Sequence, residues 1–215
     1  MSRDDVHLGE PKDPTVLASE FPRVSSISGQ WYRAHSDGRA ALPDRGCWWF
    51  ASYVPPGPVE GRFDLRAPRG TCYFADLVEA TVRERLGPTW GGHPFLPPVA
   101  LAGTTVSVVE LTPYVDAEDV ADTDCLAAAG YVTREVGAAS YSLTQRHAEA
   151  FAAAGFGGIS YGPRFTPGPV RAVALFGDAG RPDPGRAAAE APGWKGELKS
   201  PVRSTVSRRS ATVIP

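Results

Sequence analysis

The sequence has no run approaching the ~18 apolar residues that a membrane-spanning helix requires, so no membrane partner is expected. Its first stretch, MSRDDVHLGEPKDP, is charged and carries no apolar core, and no secretory signal is read there. There is no GxGxxG, no P-loop, no HExxH and no GxSxG. These absences remove the sequence grounds for a Rossmann dinucleotide site, a P-loop nucleotide site, a zincin or an α/β-hydrolase elbow. Cysteine is scarce: Cys47, Cys72 and Cys125 are odd in number and widely spaced, which makes neither a disulfide framework nor a metal site. Free thiols in a reducing compartment follow, and with them a cytoplasmic protein that uses no metal. Neither sign of charge predominates, with 22 Lys and Arg against 24 Asp and Glu, so net charge points neither to nucleic acid nor to an anionic membrane.

What is present is a chain of 215 residues with 42% hydrophobic and 10% aromatic content, enough for one domain with a proper core. The 23 Gly and 21 Pro predict short elements and many loops rather than a bundle of long helices. Residues 1 to about 27 read as a loose lead-in able to dock one helical turn. Strands are expected at Ser28–His35, Thr71–Ala75, Thr104–Leu111, Ile159–Tyr161 and Arg171–Phe176, the last of them central. The Cys47–Phe50 run reads as core, and the proline cluster that follows ends any strand. A helix is expected from Asp76 to Gly87, with Asp76 as N-cap and a Glu79–Arg83 pair one turn apart. Another is expected over Leu143–Ala154, stopped by Gly155, with Thr144 as a candidate N-cap. Asp116–Asp124 lacks the glycine and closing glutamate of a calcium loop and reads as a solvated helix start. Beyond about residue 180 the composition turns to Pro, Gly, Ala and Ser, with a mildly basic tail that carries no aromatic interleaving.

The densest chemistry lies in Gly61–Gly87, GRFDLRAPRGTCYFADLVEATVRERLG, where an arginine loop, a tyrosine strand and a glutamate helix follow one another. Arg62 on a glycine-flanked loop suits close approach to a phosphate. Tyr73 shares a strand face with Thr71, away from Cys72 and Phe74. Glu84 lies roughly opposite the Val78, Val82 and Leu86 stripe, whereas Glu79 has a structural task at the helix start. Upstream, Trp31, Arg33 and His35 share one strand face, and an arginine placed between aromatics needs an internal carboxylate or a bound anion.

In order, WYRAH at 31–35, WFAS at 49–52, GRFD at 61–64, GTCYFADLVEATVRE at 70–84, YSLTQRHAEAF at 141–151, GGISYGPR at 157–164 and ALFGD at 174–178 resemble the RES domain family, the toxin half of RES–Xre toxin–antitoxin systems. The resemblance divides the chain into a lead-in at 1–28, a catalytic domain at 29–178 and a tail at 179–215. It implies an α+β, ADP-ribosyltransferase-like fold whose split antiparallel sheets flank an NAD-binding cleft. It also implies an enzyme that breaks the nicotinamide–ribose bond of NAD, its substrate, with inorganic phosphate or water as acceptor, and an Xre-type antitoxin as protein partner. Carried over by position, it makes Glu84, Arg62 and Tyr73 catalytic and puts Arg33 on the NAD; His35, on the strand face of Arg33, is expected beside it, and Ser160 and Tyr161 are the nearby candidates to replace an absent family serine. The sequence departs from the family where Gly157 replaces an aspartate and Pro163 occupies that serine slot, and proline brings neither a hydroxyl nor a backbone N–H. That departure sets a silent domain that binds NAD, a nucleotide or a protein beside the enzyme as an alternative, and a second alternative is a transferase that ADP-ribosylates a protein.

Overall fold

The computed structural model describes residues 9–36, 47–54, 61–90, 92–93, 95–125, 141–180 and 188–190. In chain order its elements are α1 (Pro14–Glu20), β1 (Gln30–Ser36), β2 (Ser52–Tyr53), β3 (Leu65–Arg66), β4 (Arg69–Ala75), α2 (Val78–Trp90), α3 (Pro98–Leu101), β5 (Thr104–Glu110), β6 (Val120–Asp122), α4 (Tyr141–Ala153), β7 (Gly158–Tyr161), β8 (Ala172–Asp178) and β9 (Ala189–Glu190).

Seven strands form one sheet in the order β6-β7-β8-β4-β1-β5-β9, and β2 with β3 form a separate parallel pair. Every neighbouring pair in the large sheet is antiparallel except β6 and β7. β8 is flanked on both sides and its first five residues are buried, which is why Ala172–Phe176 reads as an unbroken apolar run rather than an alternation. The ladder between β4 and β8 runs from Arg69↔Asp178 to Ala75↔Ala172, and that between β1 and β5 from Gln30↔Glu110 to Ser36↔Thr104. Between these two halves β1 and β4 meet at one pair alone, Tyr32↔Ala75. The expected split is therefore a seam inside one sheet.

Both faces are covered. Trp31, Trp48, Phe50, Cys72, Phe74 and Val109 pack on one side, where the Trp48 and Phe74 rings lie 4.9 Å apart. On the other, α4 turns Thr144, Gln145, Ala148 and Phe151 inward at helical spacing, over a cluster that includes Leu17, Phe21, Phe63, Leu65 and Ile159. α2 covers β1 and β5 through Val82, against Ala34, Leu101 and Val106. Gly87, at φ 56°, ends the regular part of that helix where it was expected to stop.

Several local expectations change. Asp76 does not cap α2, which starts at Val78; its carboxylate accepts from the Arg171 amide (3.0 Å) and pairs with the Arg171 guanidinium (3.6 Å). Glu79 does pair with Arg83, at 2.7 Å. Thr144 lies inside α4 rather than capping it. The acidic stretch at 116–124 holds a single short turn, Ala117–Asp119, and then β6, because Val120 and Ala121 are buried in the sheet. In the lead-in, Leu17, Phe21, Val24 and Ile27 are buried, and residues 189–190, beyond the boundary expected at 178, pair with β5. The basic residues from Lys195 onward lie outside the described residues.

The seam leaves the Ala34 amide without a β4 partner, and the buried Thr81 hydroxyl of α2 accepts from it at 2.8 Å. Thr81→Val removes that acceptor and leaves a buried N–H unsatisfied, so stability should fall by about 1–3 kcal/mol in chemical denaturation. Thr81→Ser, which keeps the hydroxyl, should recover most of it.

Candidate active site

The seam opens beside a cavity of about 340 Å³ whose lining includes Arg33, Arg62, Asp64, Tyr73, Glu84, Arg85, Tyr161, Arg164 and Phe165. Four arginines and two carboxylates are among its lining residues, a cationic balance that suits an anion.

Its inner end is built by the loop Gly61–Asp64. The Asp64 carboxylate, 1% exposed, accepts from the Gly61 amide (2.7 Å) and from the Tyr73 hydroxyl (2.7 Å), and the same hydroxyl accepts from the Phe63 amide (2.9 Å). From α4, the Thr144 hydroxyl donates to the Arg62 carbonyl (2.5 Å) and the Gln145 amide to the Gly61 carbonyl (3.0 Å). A Cβ on residue 61 would lie 2.2 Å from the Asp64 Oδ1 and 2.6 Å from the Tyr73 hydroxyl, so the loop closes this tightly only on glycine.

The loop presents Arg62, 7% exposed, to Glu84, 21% exposed, at 3.3 Å. A cation this buried needs compensation, which Glu84 supplies electrostatically while the Tyr161 ring lies 5.0 Å from the guanidinium carbon. The other Glu84 oxygen accepts from the Phe165 amide at 2.9 Å. The segment that carries Pro163 thus still delivers a backbone donor to the carboxylate, two residues downstream.

Of the residues expected at the site, Glu84, Arg62, Tyr73 and Tyr161 come together, with Arg33 at the edge of the seam. Tyr73 differs from expectation in that its hydroxyl is engaged by the loop it holds. Arg33 differs more: its Nη1 donates to the carbonyls of Cys47 (2.6 Å) and Trp49 (2.8 Å) and contacts the Cys72 thiol, on the far face of the sheet. Two convergent arginine forks are therefore not what β1 and the loop provide. Neither His35 nor Ser160 lines the cavity. His35 bonds the Ser107 hydroxyl (2.8 Å), and Ser160, adjacent to Tyr161 on β7, projects from the opposite face, with its carbonyl accepting from Thr123. Asp64, Thr144, Gln145 and Phe165 were missed. Asp64 had a signal, since its spacing from Gly61 matches a side chain that folds back onto its own loop. Thr144 and Gln145 had another, as polar residues on the inward stripe of α4. The Phe165 contact runs through main chain and had none.

Among the described residues no cluster of His, Cys, Asp or Glu is placed to hold a metal, and no helix is long and apolar enough to cross a membrane.

The fold is α+β, with a largely antiparallel sheet that parts at the β1–β4 seam beside the cavity. It is similar to a chain of the crystal structure of the M. tuberculosis MbcT–MbcA toxin–antitoxin complex, at 14% identity and a TM-score of 0.50, over 84% of this chain and 93% of that one. The RES domain family model matches residues 30–195, and the chain belongs to that family. No curated protein matches it.

Two measurements check the loop lock. Tyr73→Phe and Asp64→Asn each break the network, and a double-mutant cycle in urea should show coupling of about 0.5–3 kcal/mol, because the two share one hydrogen bond. Burial, and then the Asp64 carboxylate, push the Tyr73 phenol well above its ordinary value of 10.0. Burial likewise raises Tyr161, with Glu84 adding to the shift. A raised phenol keeps its proton in the folded state while the unfolded chain loses it, so the stability it contributes is complete below about pH 10 and lost as pH rises further. Stability measured against pH should fall above that point, and Tyr73→Phe should reduce the slope by about 1.4 kcal/mol per pH unit.

Proposed function

We propose that the protein is the toxin of a toxin–antitoxin pair and that it consumes NAD, breaking the nicotinamide–ribose bond with phosphate or water as acceptor. The observation that carries the reading is the juxtaposition of a half-buried carboxylate, Glu84, with a buried guanidinium, Arg62, in a cavity where arginines outnumber carboxylates. NAD brings two phosphate charges and a ribose that becomes cationic as nicotinamide leaves. The cavity has a complement for each.

In the reaction the C1′–N bond breaks with its electron pair moving to the nicotinamide ring nitrogen, which loses its positive charge. Glu84 faces the oxocarbenium-like ribose and stabilises it electrostatically. An oxygen of phosphate or water then bonds to C1′ and its proton passes to solvent. The departing ring is already cationic, so no general acid is required. Arg62 orients Glu84 and offers donors to the nearer phosphate, and Tyr73 acts as a positioning residue through the loop. The protein partner proposed is an Xre-type antitoxin, and the site of action the cytoplasm. Glu84 retains a main-chain donor despite Pro163, which favours turnover over a silent NAD-binding domain.

Purified protein should release nicotinamide from NAD, faster with added phosphate if phosphate is the acceptor. Glu84→Gln keeps an acceptor for the Phe165 amide and should lower that release by about 10²–10³ in protein that still melts cooperatively, at a lower temperature because Arg62 loses its compensating charge. Equal inertness of wild type and variant, with and without phosphate, ends the enzyme reading in favour of the silent domain. Transfer of labelled ADP-ribose to protein, in place of free products, identifies the transferase.

A further inference from the structure

We infer that Arg164 is a specificity-determining residue: it takes the phosphate of a pyrophosphate-bearing ligand that lies farther from the reacting ribose, at the mouth of the cavity. The inference rests on the reading of the cavity as a dinucleotide site.

Glu84 compensates Arg62 within the cavity, so this inner pair is close to neutral and leaves most of a pyrophosphate's charge to be met by other cations. Three further arginines line the cavity, and they differ in what already holds them. Arg33 directs Nη1 at two main-chain carbonyls on the far face of the sheet. Arg85 donates to the Ser36 hydroxyl at 2.8 Å. Arg164 is exposed, and among the described residues its contact is the ring of Phe165, 5.2 Å from its guanidinium carbon. A guanidinium resting on a ring face keeps its in-plane N–H donors available, and that planar fork suits phosphate.

Position supports the same assignment. Arg164 precedes Phe165, whose amide holds Glu84, so its Cα is about 3.8 Å from the Cα of a residue touching the carboxylate. The cation is thereby tied to the reacting end by main chain, yet stands outside the buried pair. A ligand whose ribose meets Glu84 extends outward toward Arg164. The residue would thus discriminate a ligand with two phosphates from one with a single phosphate next to its reacting ribose.

The test is a binding measurement on the full chain. ADP-ribose carries both phosphates and no nicotinamide, so it binds without turnover; ribose 5-phosphate, measured by competition against it, carries only the phosphate beside the reacting ribose. Arg164→Gln should weaken ADP-ribose about tenfold and ribose 5-phosphate less than twofold, and Arg164→Lys should recover part of the loss, since the charge returns without the planar fork. An ADP-ribose affinity that moves less than twofold overturns the inference. So does an equal loss for both ligands, which would mark a general charge effect, or failure of wild type to bind ADP-ribose. Nicotinamide release by wild type is read in parallel: release with an unmoved ADP-ribose affinity sinks this inference alone, whereas no release with the selective loss sinks the turnover reading alone.

Discussion

A guanidinium cannot be taken almost wholly out of water unless its charge is met and its backbone is pinned, and most of the site follows from that requirement at Arg62. Glu84 meets the charge. Asp64, Tyr73, Thr144 and Gln145 pin the loop, each through a hydrogen bond to the main chain of residues 61–63 or to one another. Three elements converge on this one loop: β4 and α2, which follow it closely in sequence, bring the tyrosine and the glutamate, and the distant α4 brings the two polar side chains. Loss of any one of them leaves a buried polar group without its partner, which is why the loop and the core around it form a single cooperative unit.

The sheet supplies the space. With β1 and β4 joined at Tyr32↔Ala75 alone, the strands diverge and their adjoining faces open into a cavity instead of a ladder. Groups near the seam find other partners, as the Ala34 amide does in Thr81 and Arg33 in the carbonyls of Cys47 and Trp49. The buried thiol of Cys47, pushed up to about 12 by burial, stays neutral in this packing and behaves as a small apolar group.

Much of this was legible in the sequence because it rests on periodicity and local chemistry. Alternation placed Tyr73 away from Cys72 and Phe74, the apolar stripe of α2 set Glu84 apart from Glu79, and Gly87 ended the helix. Arg33 misled because alternation gives a face and not a partner: the face that holds Trp31 and Arg33 is the one packed by the Cys47–Phe50 segment. Ser160 and Tyr161 could be separated only once the face of β7 was known. Main-chain donors such as the Phe165 amide carry no residue-type signature at all. β6 was hidden by its acidic flanks, since three residues are too short to show a period.

The bonds from α4 to the loop run to the carbonyls of residues 61 and 62 and not to the side chain at 62. A scaffold that grips main chain is indifferent to the side chain it displays. Position 62 is in this sense a socket whose occupant is chosen by its neighbours: the grip on the main chain sets where a group stands, while Glu84 and the Tyr161 ring suit a cation there, and a neutral replacement would leave the carboxylate uncompensated.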